Sequence, residues 1–535
     1  MGAVNGSVRL SERIGGPVGR HARPWGIWFD PMPWSILVAG LSWVALMLRQ
    51  VPCHQTSYGN PVNTYSRLCY SDIPLVYQGD GIATGAGLYS EAGLPYPPLV
   101  GLVIAACRGF TGLLGANVSP SATGQEQLDA SYLFFVLTAV VLFIAFLVVV
   151  VAQARLGAGS ASQATQGVQT RSFDALLVAA APVVIASGLI NWDMLAVALV
   201  MLGVFAWAGR RPLLAGAALG AAFSAAFFPV LVLVALALVC WRGGRMRAWA
   251  VSLGGFAGAW ALLNAPLLLT DPGGWSVYWT SGIERSADLG SLWYVLGLMG
   301  LQVPAVTVIS AALTVTGLFL VAALVAGAPR RPRVAQVILL VLVVFTVCSK
   351  VYSPQYALWL LPFVVLARPK VRDWAEWNIT ELCYYFAVWG FLNGVLGPGT
   401  GADALYWIAT FLRIGGQLWL ASSVVHDILN PWDDPARVGH LDDLTGGVLD
   451  HAADPVAIAV PAGARVGAGY APGQAPVPAG TPGHRLPGGL PAHGQPGGYP
   501  SGAAPQGSAV PGAVSLEDGA APEQARPPWP GEGPR

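Results

Sequence analysis

Long apolar stretches separated by short polar segments dominate the first 430 residues of the chain. A membrane-crossing helix needs about 20 apolar residues, within a range of about 17–25. Runs that fit this requirement lie at residues 34–50, 131–152, 174–190, 194–209, 248–270, 303–327, 334–349, 355–367, 380–396 and 404–424. The stretch 212–241 has arginines at both ends, which predicts a hairpin of two short helices that breaks near Pro229. The pattern therefore predicts an all-α, polytopic transmembrane helix bundle of about 12 spans.

Arginines between the apolar runs indicate which loops lie on the cytoplasmic side of the membrane. Basic loops prefer the cytoplasmic side of a membrane, and Arg210, Arg330 and Arg368 share one side when the N-terminus is placed inside. Residues 97–116 are apolar enough to cross, but a crossing would turn the later basic loops outward. They are therefore predicted to form an interfacial or re-entrant helix.

This orientation divides the chain into segments with different predicted locations in the inner, or plasma, membrane. We expect a cytoplasmic N-terminal segment at 1–33, a transmembrane domain at 34–430 and a large first external loop at 51–130. Pro, Gly and Ala dominate the C-terminal part, so residues 431–535 are predicted to be a disordered cytoplasmic tail. The tail could bind cytoplasmic partners, although no motif supports that role.

Composition narrows the class of protein. Of the 535 residues, 54% are hydrophobic and only 10% are charged, whereas soluble domains carry roughly 25% charged residues. The formal net charge of +1 gives no indication of nucleic-acid binding. No P-loop, no Gly-rich nucleotide loop and no set of residues with metal-ligand spacing is visible, so the sequence predicts neither a metal site nor a cofactor.

Two carboxylates fall in predicted external segments close to the membrane surface. Asp72 lies in the first external loop, and Asp193 follows Asn191 in a very short turn between two apolar runs. Partial desolvation raises the basicity of a carboxylate, so either residue could take a proton from an acceptor hydroxyl. A loop cap or a plain surface charge is the alternative for each residue.

Two cations are also predicted on the external side, against the usual bias of basic residues. Lys350 and Arg285 could bind a lipid phosphate there. The alternative is an interfacial side chain whose charge simply reaches water.

Cys53 and Cys69 share the first external loop, which faces an oxidising space. They could form a disulfide that constrains the loop next to Asp72, or remain two free thiols.

Several short motifs together carry a resemblance to a known family. The most specific is Lys-Val-Tyr-Ser-Pro-Gln-Tyr-Ala-Leu-Trp-Leu-Leu-Pro at 350–362. The others are Cys69-Tyr70-Ser71-Asp72, Tyr96-Pro97-Pro98-Leu99, Asn191-Trp192-Asp193 and Asn264-Ala265-Pro266. On these residues, over about 30–430, the chain resembles the actinobacterial integral-membrane glycosyltransferases of family 87, in the GT-C superfamily. It is more distantly similar to polyprenyl-phosphate-mannose-dependent mannosyltransferases.

The resemblance implies a GT-C-like fold and a sugar transfer at the external face of the membrane. The donor would be a polyprenyl-phosphate sugar, with mannose favoured, and the acceptor a lipid or glycan. Asp72 would act as general base with inversion at the anomeric carbon, and Lys350 and Arg285 would balance the charge of the leaving phosphate. Substrate binding would fall on polar residues of the same motifs: Tyr352, Gln355, Asn191 and Asp193.

Two positions depart from the family pattern, and two other functions stay open. Ala226 stands where relatives often carry Lys, and Ser349 where they carry Asn. One alternative is a non-catalytic scaffold of envelope assembly that recruits partners through the tail. The other is a lipid-intermediate transporter or flippase, which would need a polar path through the bundle. The sequence argues against that path, because almost no charges are expected within the spans.

Overall fold

A computed structural model describes residues 31–54, 57–79, 81–157, 173–437, 443 and 445–456. Within these ranges the chain is helical and contains no β-strand, which confirms the all-α prediction. The helices are α1 Pro31–His54, α2 Asp72–Gln78, α3 Pro98–Leu113, α4 Gly124–Gly157, α5 Ala175–Ala179, α6 Pro182–Ser187, α7 Asp193–Ala208, α8 Pro212–Phe223, α9 Pro229–Arg242, α10 Met246–Thr270, α11 Pro272–Glu284, α12 Leu292–Leu298, α13 Val306–Gly327, α14 Val334–Cys348, α15 Ala357–Ala367, α16 Val371–Leu392 and α17 Asp403–Leu429. Short 3₁₀ turns lie at Ile82–Thr84, Pro354–Tyr356 and Gly447–Leu449.

Five of these helices are long and apolar enough to cross a membrane: α1, α4, α10, α13 and α17. Other apolar helices, such as α9 with 14 residues, are shorter. Apolar side chains on α10 and α13 face outward, with Leu269 81% and Phe319 70% exposed. Soluble proteins rarely expose apolar surface of this extent, so these faces suggest contact with lipid.

Prolines set the ends of several of the shorter helices. The predicted hairpin at 212–241 is divided into α8 and α9, with Pro229 as the first residue of α9. The predicted span 174–190 is likewise divided into α5 and α6, and α6 begins at Pro182. Proline suits the first helical position because the N–H that it lacks would have no partner there.

Glycines allow α8 and α10 to pack closely. A Cβ atom on Gly216 would lie 1.8 Å from the backbone oxygen of Ser252, and one on Gly220 would lie 2.2 Å from that of Phe256. Small residues permit this backbone approach, which is common between membrane helices. The contact therefore depends on the absence of side chains at these positions.

The helix α3 falls within the predicted interfacial segment 97–116. It has 16 residues, which corresponds to a length of about 24 Å at about 1.5 Å per residue. That length is below the roughly 30 Å of a hydrocarbon core. Arg108 of α3 donates to the carbonyl of Ala86 over 2.8 Å, which holds the helix to the preceding loop.

The chain continues to pack against the bundle beyond residue 430. The described residues 431–437, 443 and 445–456, here called the C-terminal strap, contact loops that the sequence places on the cytoplasmic side. Arg333 donates to both carboxylate oxygens of Asp434, over 2.7 and 2.9 Å. Arg210 pairs with Asp450 at 2.9 Å.

The predicted boundary of the tail at residue 430 is therefore too early, because aspartates of the strap meet arginines of earlier loops. Arg333 and Asp434 are both buried. Burial acts to raise the pKa of Asp434, but the charge and hydrogen bonds of Arg333 outweigh it and hold that pKa below its usual value. Residues 457–535 of the predicted tail, like residues 1–30 of the predicted N-terminal segment, lie outside the described residues.

Candidate functional site

The site is built on the contact between the first predicted external loop and the turn that precedes α7. Ser71 caps the N-terminus of α2, and its hydroxyl donates to the carbonyl of Leu189 over 2.6 Å. The backbone N–H of Asp72 donates to the carbonyl of Ile190 over 2.7 Å. These bonds hold Asp72 next to the turn that carries Asn191 and Asp193.

Two tyrosines hold the Asp72 carboxylate. Tyr70 donates its hydroxyl to Oδ1 over 2.7 Å, and Tyr96 donates to Oδ2 over 3.1 Å. Burial raises the pKa of Asp72, while these two hydrogen bonds and the charge of Arg285 oppose the increase. The result is a carboxylate of fixed orientation that is more basic than an exposed aspartate.

A disulfide and two hydrogen bonds of an arginine side chain support this loop. Cys53 and Cys69 form a disulfide, with their Cα atoms 5.9 Å apart. Arg49 at the end of α1 donates to the carbonyls of Leu68 and Ile185. The segment that leads to Asp72 is therefore attached to two other parts of the bundle.

Asp193 lies at the first turn of α7 and makes specific contacts. Its backbone N–H donates to Oδ1 of Asn191 over 2.9 Å, and its Oδ2 accepts from the indole of Trp359 over 3.1 Å. The Trp359 ring stacks on Tyr356 with centroids 3.7 Å apart. Asp72 is close enough to Asp193 for the two charges to interact. Two carboxylates and a wall of aromatic rings therefore lie together.

The two predicted phosphate-binding residues, Arg285 and Lys350, have different surroundings. Arg285 forms an ion pair with Asp288 and remains half exposed, and its charge acts on Asp72. Lys350 instead caps the end of α11, because its Nζ donates to the carbonyl of Ile283 over 2.6 Å and to Thr307 over 3.1 Å. Burial, followed by the charge of Arg285, lowers the pKa of Lys350.

Gln355 and Tyr352 also differ in their surroundings. Oε1 of Gln355 is buried and accepts no hydrogen bond within the described part of the chain. Tyr352 is fully buried, and its hydroxyl donates to Glu381 over 2.7 Å. Its side chain therefore belongs to the core of the bundle.

An apolar groove of about 350 Å³ lies between α3 and α10. Apolar side chains dominate its lining, which includes Leu88, Leu102, Leu262, Leu263 and Pro266. Tyr89 also lines the groove and donates its hydroxyl to the carbonyl of Tyr96 over 3.0 Å. One of the tyrosines that hold Asp72 is therefore connected to the wall of the groove.

Some important residues were not predicted from the sequence. Tyr70 and Tyr96 occur in the motifs quoted above but received no role, although a phenol two residues before a carboxylate is a plausible donor to it. Glu381 and Arg413 were overlooked, and both are buried within α16 and α17. Arg413 therefore places a charge inside α17, a helix long and apolar enough to cross a membrane, where the sequence predicted almost none.

Comparisons with known proteins give no family. No protein-family model matches the chain, and no curated protein matches it. In the ranges that the structure describes, no group of three or more His, Cys, Asp or Glu side chains is arranged to hold a metal ion.

Proposed function

We propose that the chain is a membrane glycosyltransferase of the GT-C type. It would move a hexose, with mannose favoured, from a polyprenyl-phosphate donor to a hydroxyl of a lipid or glycan acceptor. The observation that supports this most is the Asp72 carboxylate, which is half-buried, held by Tyr70 and Tyr96, and close enough to Asp193 for their charges to interact. The family resemblance of the same motifs adds to it.

In the proposed reaction Asp72 is the general base. It takes the proton of the acceptor hydroxyl, and the acceptor oxygen attacks the anomeric carbon from the face opposite the phosphate. The bond between the anomeric carbon and the phosphate oxygen breaks, so the polyprenyl phosphate leaves with the bonding electrons and the configuration inverts. Arg285 would balance the charge that develops on this phosphate. Asp193, Asn191 and Gln355 would bind sugar hydroxyls.

The proposal includes a membrane arrangement. About 12 spans would place the Asp72 loop outside, with the N- and C-termini in the cytoplasm, according to the positive-inside rule. The groove between α3 and α10 would accommodate part of the donor's hydrocarbon chain, since its lining is apolar and Tyr89 links it to Tyr96. A lipid-linked donor and the half-buried Asp72 carboxylate could then meet at one site.

The buried charges of α16 and α17 favour a second candidate, the lipid-intermediate transporter. Ionisable residues inside a bundle often mark a transport path. In this protein, however, both carboxylate oxygens of Glu381 already accept hydrogen bonds, from Tyr352 over 2.7 Å and from Gln417 over 2.8 Å. Such a closed network favours a supporting role over a path.

The experiment is the transfer of radiolabelled mannose from polyprenyl-phosphate-mannose into lipid by membranes that contain the wild type, Asp72→Asn or Asp129→Asn. Asp129 is an exposed carboxylate within the same predicted external loop and serves as the matched control. We expect the wild type and Asp129→Asn to transfer sugar and Asp72→Asn to lose transfer. Equal transfer by all three would reject Asp72 as the base. If none transfers mannose or, in a second trial, arabinose, the scaffold becomes the better explanation.

A further inference from the structure

Two predicted external loops are joined through their backbones. The N–H of Asp288 donates to the carbonyl of Lys350 over 2.9 Å, and the N–H of Tyr352 donates to the carbonyl of Leu289 over 3.0 Å. We call residues 285–291 and 350–356 the paired loops. Because these two backbone hydrogen bonds join the loops, the position of one loop determines the position of the other. The paired loops carry Arg285, Gln355 and Tyr356.

A buried arginine lies directly beneath the paired loops. Arg413 of α17 is 0% exposed, and its guanidinium carbon lies 3.6 Å from the centroid of the Tyr352 ring. Its Nη2 donates to the carbonyl of Gly290 over 2.9 Å. One side chain therefore contacts both loops, one through a ring and the other through the backbone.

The neighbours of Arg413 complete the support. Glu381 of α16 accepts the hydroxyl of Tyr352, and Tyr384 donates to the carbonyl of the same residue over 2.8 Å. Tyr406 of α17 accepts the N–H of Gly290 over 2.9 Å. Each contact ends on a residue of the paired loops, so α16 and α17 act together as their base.

Burial of this arginine has a high cost that other contacts must offset. Its Nε and Nη1 have no hydrogen-bond partner among the residues described, and an unpaired buried donor is destabilising. A planar guanidinium over an aromatic ring in a desolvated site recovers part of that cost. A charge kept in an apolar bundle under these conditions indicates a function.

We propose that Arg413 is a positioning residue that fixes the paired loops as one unit and so holds Arg285 and Gln355 at the site of Asp72. It does not touch the reacting atoms. The part of the inference that concerns the reaction rests on the proposed function, whereas the control of the loops by Arg413 does not.

The first test measures amide hydrogen exchange in the full-length protein, in detergent or nanodiscs, and needs no activity. In Arg413→Gln, we expect the amides of 285–291 and 350–356 to exchange together, on the order of tenfold faster or more. The loop that contains Asp72 should be unchanged. Arg242→Gln is the matched control, because Arg242 is equally buried and donates to the carbonyls of Val325 and Ala326. It should leave the paired loops protected.

The second test measures transfer kinetics. We expect Arg413→Gln to lower kcat by on the order of tenfold or more with a smaller change in KM, because a misplaced Arg285 stabilises the leaving phosphate less in the transition state. Arg242→Gln should keep wild-type kinetics. A purely structural role of Arg413 would instead lower the amount of active protein in Arg413→Gln and leave both kcat and KM of the remaining active protein unchanged.

The outcomes are distinct. Unchanged exchange of the paired loops in a folded Arg413→Gln overturns the inference. If that variant does not fold, Arg413→Lys replaces it, since it keeps the buried charge and loses the planar group over the Tyr352 ring. Faster exchange of the paired loops in Arg413→Lys supports the inference, and no change overturns it. A wild type that transfers no sugar defeats the proposed function, while the exchange result still decides the role of Arg413.

Discussion

The tyrosines that hold Asp72 lead to a prediction about the pH dependence of the reaction. Tyr96→Phe keeps the ring and removes one hydrogen bond to the carboxylate. A hydrogen bond to a charged group contributes about 1.5–3 kcal/mol, which corresponds to roughly one to two pH units. The bond stabilises the ionised form, so its loss raises the pKa of a group whose pKa burial has already raised. Because only ionised Asp72 can act as the base, the acid limb of the rate profile should move to higher pH by about that amount.

The assay is the pH dependence of kcat/KM for sugar transfer by the wild type, Tyr70→Phe, Tyr96→Phe and Tyr77→Phe. Tyr77 is the matched control, since it belongs to α2, is fully buried, and has a hydroxyl without a hydrogen-bond partner in the described residues. Its replacement should leave the profile unchanged. Tyr70→Phe should shift the acid limb in the same direction as Tyr96→Phe.

One result would refute this reasoning. If Tyr96→Phe left the acid limb in place, or moved it to lower pH, the limb would not report the ionisation of Asp72.

Three further predictions concern stability and can be tested by thermal unfolding of the purified protein. Asp434→Asn should lower the free energy of unfolding by about 3 kcal/mol and expose the strap to protease, because it leaves Arg333 buried without its charge partner. Since folding lowers the pKa of Asp434, the stability that this ion pair contributes is present above about pH 4 and is lost at more acid pH. Cys53→Ser should cost about 2–4 kcal/mol and abolish the sensitivity of the unfolding temperature to reductant. Gly216→Ala should lower the free energy of unfolding by about 1–3 kcal/mol through overpacking. Gly258→Ala should not destabilise the protein, because nothing lies within 4 Å of the added atom.

The apolar pattern predicts where most helices lie, because a helix boundary depends on local residues. Arginines at both ends of 212–241 predicted a hairpin and Pro229 its point of division, and the first residue of α9 agrees with that point. The pattern does not determine the number of spans, because helices as short as α9 can end inside a bundle as well as cross a membrane. Their length does not distinguish the two cases.

Contacts between distant residues could not be predicted from the pattern. The interaction of Arg333 with Asp434 joins positions 101 residues apart, and an acidic run near a Pro-rich tail looks the same in the sequence whether or not it has partners. Arg413 presents a similar problem, since one charge in an apolar helix does not indicate which loop it supports. Asp72 could be selected from the sequence, because it lies in the predicted first external loop and the resemblance of its motif implies the role of the base.

The strap also has a consequence for how the chain is made and how its topology can be mapped. Arg333 leaves the ribosome 101 residues before Asp434, so at roughly 5–20 residues per second it waits about 5–20 seconds for its partner. A reporter fused at residue 430 would remove that partner permanently and report on an incompletely assembled bundle. Fusions placed after residue 456 retain the complete strap, and they are the appropriate ones for deciding on which side of the membrane the C-terminus lies.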